Sequence, residues 1–240
     1  MKRAEFGSGA LSEGTAVVYW HLVVGVLFLL ITAPGTIPAL FLERHISNAP
    51  LYALFLTPVA PALCAALFAL ARRPEAEAMT PAQFFFRGYR INFVDSLKVW
   101  VPAVLLLTML TVNLSNVAAT GFGAWYPVVG LLLALVLIVW LLVALTIVSL
   151  FSFRSRDVIR LSLGYLLGLP LVSLGVAGVV VLGALIALVT FDAVVVLAAP
   201  LLVALLLRVT APMREDIRRK FTADSAPLTP SILNRTDHGE

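Results

Sequence analysis

The chain has 240 residues, of which 61% are hydrophobic and 12% are charged, and its mean hydropathy is +1.02. Soluble proteins carry roughly 25% charged residues, so this composition excludes an ordinary soluble domain. The net charge of +4 is also no sign of nucleic-acid binding, because the basic residues cluster beside the ends of apolar runs, which is a membrane pattern.

Two long segments without any Asp, Glu, Lys, Arg or His, residues 99–153 and 161–191, indicate the fold class. A helix needs about 20 apolar residues to cross the hydrocarbon core of a bilayer, so these segments together hold several spans. A membrane β-barrel would show alternating polar and apolar residues, whereas these runs are uniformly apolar. We therefore predict an all-α, polytopic membrane protein with a bundle of about six transmembrane helices at residues 16–210.

The first predicted span, residues 17–42, follows a polar N-terminal segment at residues 1–15. A signal peptide is the alternative, but the run is long and lacks a cleavage site of small residues followed by a polar start. Pro34, Gly35 and Pro38 predict that the outer end of this helix is kinked or broken. An unwound ligand site of the kind found in transporters is a second interpretation of residues 33–38.

The second predicted span, residues 51–71, is rich in alanine. Small residues let helices approach closely in lipid, so this run predicts a buried central helix. The chain's single cysteine, Cys64, lies in it and is expected to be a small packing residue, since one cysteine cannot form an internal disulfide.

Residues 80–98, TPAQFFFRGYRINFVDSLK, form the one amphipathic charged segment among the apolar runs. Thr80, Pro81 and Gln83 predict a helix that begins with a capping box. Five apolar side chains then recur at helical spacing among three basic ones: Phe85, Phe86, Tyr89, Phe93 and Leu97, with Arg87, Arg90 and Lys98. The pattern predicts a helix on the cytoplasmic surface that bends into, or continues as, the third span.

The remaining predicted spans cover residues 99–117, 125–151, 163–189 and 193–207. Five glycines give the fifth of the six spans a face of small residues, which predicts packing inside the bundle, with dimerisation as the alternative: Gly164, Gly168, Gly175, Gly178 and Gly183. Pro170 predicts a kink in the same span. Residues 211–240 are expected to be a cytoplasmic tail, with a basic surface helix at 213–221 and a disordered end.

The distribution of basic residues predicts how the chain is threaded. Six spans place both termini on one side, and 16 of the 17 Lys and Arg residues then fall on that side, with only Arg44 opposite. The positive-inside rule makes this side cytoplasmic.

Residues with catalytic chemistry are scarce. The sequence contains no HExxH, no GxSxG and no pair of carboxylates at membrane depth. His21 is the one ionisable residue within the spans, and a contact with lipid headgroups and a proton-relay role are its two interpretations. We therefore expect a non-enzymatic protein without cofactor or metal.

Two stretches give the chain a family resemblance: residues 58–68, PVAPALCAALF, and residues 85–93, FFRGYRINF, followed by Ser96, Leu97, Lys98 and Trp100. In them the chain resembles the YesL-like family, bacterial integral membrane proteins with a domain of unknown function. The resemblance covers about a fifth of the chain. Many members carry a Pro-x-x-Thr stretch in the first span, where this chain has Ala33-Pro34-Gly35-Thr36. The resemblance implies the bacterial cytoplasmic membrane, genes often found beside carbohydrate-uptake ABC transporters, and no assigned reaction.

The leading functional hypothesis is an accessory protein of solute uptake, which contacts the lipid bilayer and the membrane subunits of an ABC transporter. The alternative is a stand-alone transporter or channel for a neutral solute, which would need a polar path through spans that are poor in polar groups. Gly88 favours a partner, because glycine costs about 1 kcal/mol inside a helix and a close neighbouring backbone would explain it. The candidate partner or lipid contacts are Arg87, Gly88, Tyr89, Arg90, Asn92, Phe93 and Lys98. The oligomeric state is left open.

Overall fold

The computed structural model describes residues 10–43, 45–73, 79–117, 123, 125–189 and 192–222. These residues are all-α and contain no strand. The helices are α1 (Ala10–Phe41), α2 (Ala49–Phe55), α3 (Val59–Ala71), α4 (Pro81–Ser115), α5 (Trp125–Leu150), α6 (Ser155–Gly168), α7 (Pro170–Val189), α8 (Asp192–Val209) and α9 (Ala211–Thr222). The predicted disordered end of the tail, Arg44 and most of the N-terminal segment lie outside the described residues.

Four of these helices are long and apolar enough to cross a membrane, namely α1 from Gly14 onward, α4, α5 and α7. Two further pairs pass the same test together but are bent, α2 with α3 by 42° and α8 with α9 by 47°. The described chain therefore has four candidate spans, or up to six if each bent pair is one span. This confirms the predicted all-α class, and several helices long and apolar enough to cross a membrane are consistent with a multi-pass membrane protein.

Helix α3 lies at the centre of the bundle. Every residue from 60 to 70 is buried, and the helix contacts α1, α4, α5 and α8. Its alanines allow this, because a small side chain lets four neighbours approach the backbone. The prediction of a buried central helix is confirmed, although the predicted span 51–71 is divided by a turn at residues 56–58, just before Pro61.

The prolines of α1 do not break it. The helix runs uninterrupted from Ala10 to Phe41, so the predicted unwound ligand site at residues 33–38 is wrong. The hydroxyls of Thr32 and Thr36 donate to Phe28 O and Thr32 O, at 2.9 and 3.1 Å. A proline leaves the carbonyl four residues earlier without its N–H donor, and neighbouring helices make this tolerable inside a membrane helix.

The amphipathic segment and the third predicted span are one helix, α4. It begins as predicted, because Thr80 accepts a hydrogen bond from Gln83 N at 3.4 Å while Thr80 N donates to Gln83 Oε1 at 2.9 Å. At 35 residues it is about 52 Å long, whereas the hydrocarbon core measures about 30 Å. The extra length accommodates the charged first half.

Of the five apolar side chains that recur at helical spacing in residues 80–98, α4 buries only Phe85. The buried residues are Pro81, Phe84, Phe85, Gly88, Asn92, Ser96, Val99 and Ala103. Phe86 and Phe93 are instead exposed. Small and polar residues face the protein because they let α3 and α5 come close, whereas aromatic side chains are equally well accommodated by lipid.

The fifth predicted span is divided at Leu169, and Pro170 begins α7. The prediction that its glycines pack inside the bundle holds for only part of the set. A side chain at Gly175 would overlap Val209, and one at Gly183 would touch Leu202. Gly164, Gly168 and Gly178 have nothing within 4 Å of the place where a Cβ would lie.

Candidate functional site

The first half of α4 distributes the seven candidate contact residues over three sides. Arg87, Asn92 and Lys98 line a cleft, Gly88 lies against α3, and Arg90 lines a neighbouring depression that also includes Arg87. The remaining two are a ring pair, Tyr89 and Phe93, with centroids 5.4 Å apart. The structure therefore does not bring the seven residues together into one surface.

The cleft lies between the end of α3, the first half of α4 and residues 148–155, which join α5 to α6, and its volume is about 590 Å³. Four basic side chains line it: Arg72, Arg87, Lys98 and Arg154. Among the described residues that line it, Asp95 is the one acid. We call this feature the cationic cleft.

Three separate elements supply the basic side chains of the cationic cleft. On α4, Arg87 and Lys98 share one side because their spacing of eleven residues is almost three whole turns, and Asp95 lies three residues before Lys98. Arg72 directly follows the last residue of α3, and Arg154 directly precedes the first residue of α6. In the sequence, Arg72 and Arg154 indicate only which side of the membrane is cytoplasmic, because nothing in the linear pattern shows that the two helix ends meet.

Among the described residues that line the cleft, one carboxylate faces four basic side chains. Asp95 accepts from Lys98 Nζ at 2.7 Å, and both side chains are about half exposed, at 48% and 54%. An exposed pair of this kind contributes little stability, typically below about 1 kcal/mol. The Arg72 guanidinium lies 4.9 Å from the centre of the Phe68 ring, which orients it by a cation–π contact.

The floor of the cleft is formed where α4 meets α5. Asn92 is only 7% exposed, and its amide donates to the backbone oxygen of Ser149 at 3.4 Å. The Ser149 hydroxyl in turn donates to Thr146 O at 2.8 Å. Asn92 therefore acts as a structural tie between the two helices, a role that the sequence pattern did not indicate.

Gly88 has a neighbour within the chain itself. A Cβ at this position would lie 2.8 Å from the Phe68 Cβ on α3. The inference that a partner's backbone accounts for this glycine is therefore wrong, because packing against Phe68 explains it.

Next to the cleft on α4, a shallow depression of about 690 Å³ is lined by Met79, Ala82, Gln83, Phe86, Arg87, Arg90 and Ile91. We call this the outer face of α4. Phe86 is 46% and Ile91 is 55% exposed, and Arg90 is exposed beside them. The outer face thus combines apolar area with guanidinium groups and shares Arg87 with the cationic cleft.

A second groove, of about 720 Å³, lies beside the cleft, and Phe153 lines both. Here Tyr165 on α6 donates to Asp216 on α9 at 2.7 Å, and Lys220 pairs with the same carboxylate at 2.7 Å. These contacts hold α9 against α6.

The chemistry of this end of the bundle is suited to binding rather than to a metal centre. Within the part of the chain that the structure describes, no group of three or more His, Cys, Asp or Glu residues could hold a metal ion. A concave site with several cations and apolar walls suits an anionic group. In comparisons with known proteins, no family model, no curated protein and no solved structure matches this chain.

Proposed function

We propose that this chain is a non-enzymatic accessory component of a membrane assembly, and that the outer face of α4 binds the partner. The resemblance to the YesL-like family suggests carbohydrate uptake by an ABC transporter as the system. The observation that carries the proposal is an exposed surface of mixed apolar and guanidinium character on a helix that is firmly packed from behind.

The number of spans and the positions of the basic residues support a proposal for how the chain crosses the membrane. If each bent pair is one span, the chain crosses the bilayer six times and its ends lie on the same side. That side carries almost all of the basic residues and is therefore cytoplasmic in a bacterial inner membrane. The outer face of α4 then lies at the cytoplasmic boundary, where it is accessible to membrane subunits and to their soluble loops.

The chemistry of the outer face indicates what kind of partner fits. Arg90 offers a planar fork of donors that pairs with carboxylates, and Phe86 offers exposed aromatic area beside it. Arginine and aromatic residues are enriched among the residues that dominate binding energy at protein interfaces. A membrane subunit with an acidic residue flanked by apolar side chains matches this surface.

A transporter for a neutral solute is less well supported, because the buried hydroxyls are occupied locally. Each of the following hydroxyls donates to a backbone carbonyl three or four positions earlier in the chain: Thr32, Thr146, Ser149, Ser162 and Thr210. His21 is exposed, and its Nδ1 lies 2.8 Å from Val17 O. These groups therefore do not form a polar path through the described helices.

Recovery of a partner from native membranes tests the proposal. An accessory protein should co-purify with a stoichiometric membrane partner after mild crosslinking, and Arg90→Ala should reduce that recovery severalfold. Arg90→Lys should fail to restore it, because lysine cannot reproduce the forked geometry. Arg156→Ala is the matched control, since it removes an equally exposed charge on α6.

Two results would count against the proposal. One is the purification of wild-type protein with no partner in stoichiometric amount. The other is full recovery by Arg90→Lys, which would indicate that this charge serves anionic lipid instead.

A further inference from the structure

We infer that the cationic cleft is a binding site for a phosphate group, carried either by a lipid headgroup or by a soluble phosphate compound. This goes beyond the proposed accessory role, because it assigns a ligand to a surface different from the one that binds the partner. The charge of the cleft is predominantly positive among the described residues that line it. Four basic side chains and one carboxylate line the same cavity, and that carboxylate is already paired with Lys98.

The donors approach the cavity from different directions. Arg72 comes from the end of α3, Arg87 and Lys98 from one side of α4, and Arg154 from the start of α6. A carboxylate has two oxygens and is held by one fork, whereas a phosphate has three or four and can accept from several donors around it. Convergence from three elements therefore favours phosphate over a carboxylate.

The start of α6 also favours the binding of a phosphate group in the cleft. Arg154 is the residue before the helix, and its side chain makes no capping hydrogen bond. Arginine carries only donors, so it cannot accept from the first backbone N–H groups as Ser, Thr, Asp or Asn would. Ser155, the first residue of α6, lines the cleft, so the positive end of the helix dipole adds to the four side chains.

The walls of the cleft are partly apolar, since Ile91, Val148 and Phe151 also line it. Arg87 and Lys98 lie eleven residues apart on α4, which makes the cleft about 16 Å long. A phosphate attached to an apolar body, such as a phospholipid, fits this shape, and so does a soluble phosphate compound. Two arms of one experiment separate these sources.

The test uses the purified full-length chain in detergent after removal of bound lipid. In one arm, inorganic phosphate is titrated against chloride at matched ionic strength. In the other, short-chain phosphatidylglycerol is titrated against diacylglycerol with the same chains, so that the two probes differ by the phosphate headgroup. The melting temperature reports binding, and native mass spectrometry counts bound lipid in the second arm.

We expect a saturable rise in melting temperature in at least one arm. A response to inorganic phosphate assigns the site to soluble phosphate, and a response to phosphatidylglycerol alone assigns it to lipid. Arg87→Gln/Arg154→Gln should weaken the apparent affinity about tenfold or more, because two charge-assisted contacts are lost. The matched control, Arg156→Gln/Arg218→Gln, removes the same charge from exposed positions that do not line the cleft and should leave the affinity unchanged.

The inference is overturned if wild-type protein responds in neither arm, or if the control pair loses affinity as strongly as the cleft pair. If the cleft pair does not fold, Arg154→Gln alone, at an exposed position before α6, should still weaken binding severalfold. An unchanged affinity in that variant would also overturn the inference. Because no partner protein is present, failure here is separate from failure of the proposed accessory role.

Discussion

Phe68 on α3 occupies the space beside Gly88 on α4, so closely that a Cβ at position 88 would lie 2.8 Å from the Phe68 Cβ. Phe68 also lines the cationic cleft, and Arg72 lies over its ring. The contact therefore determines how closely the two helices approach at one wall of the cleft. It links the packing of the central helix directly to the candidate site.

We expect Gly88→Ala to destabilise the protein, because the added methyl group must displace Phe68 in a closely packed interface. Overpacking of this kind costs about 1–3 kcal/mol, which exceeds the gain of about 1 kcal/mol from replacing a helical glycine by alanine. The measurement is the free energy of unfolding in detergent. Gly164→Ala is the control, because that position faces open space and should show only the gain. Equal effects in the two variants would contradict the packing role of Gly88.

The glycines of α6 and α7 give a second pair of variants with opposite expected results. Gly175→Leu should lower the melting temperature strongly, since even a Cβ at this position would overlap Val209 on α8. Gly168→Leu should leave the melting temperature nearly unchanged, because nothing lies within 4 Å of the corresponding Cβ position. Native gels of the same proteins would show whether this open position contacts a second copy. A large loss of stability in monomeric Gly168→Leu would contradict the structure.

Cysteine labelling tests the threading. Lys98→Cys and Arg154→Cys, on a Cys64→Ala background, should react with a membrane-impermeant reagent only after the membrane is permeabilised. Both positions line one cleft at the basic end. Ser47→Cys and Ser115→Cys should react in intact cells, because both positions are exposed near the turn between α1 and α2. The reverse pattern would show that the basic end lies outside.

Several features of the fold follow from local sequence alone. The apolar runs predicted the long apolar helices, and Thr80 and Gln83 predicted the start of α4. Pro170 predicted a kink, where the structure has a break between two helices. The alanines of α3 predicted its central position, because only small side chains allow several neighbours to approach one backbone. Each of these properties depends on neighbouring residues or on one helix, so tertiary contacts are not needed to infer it.

Only the tertiary structure decided which side of α4 is buried and which residues meet in the cleft. In water, burial follows hydrophobicity, but in lipid an apolar side chain is equally stable facing the bilayer or the protein. The aromatic side chains of residues 80–98 are therefore divided, since Phe85 is buried with Gly88 and Asn92 whereas Phe86 and Phe93 are exposed. The cationic cleft could not be inferred from local sequence patterns. Its donors lie on three elements far apart in sequence, and whether they meet depends on how closely the helices pack.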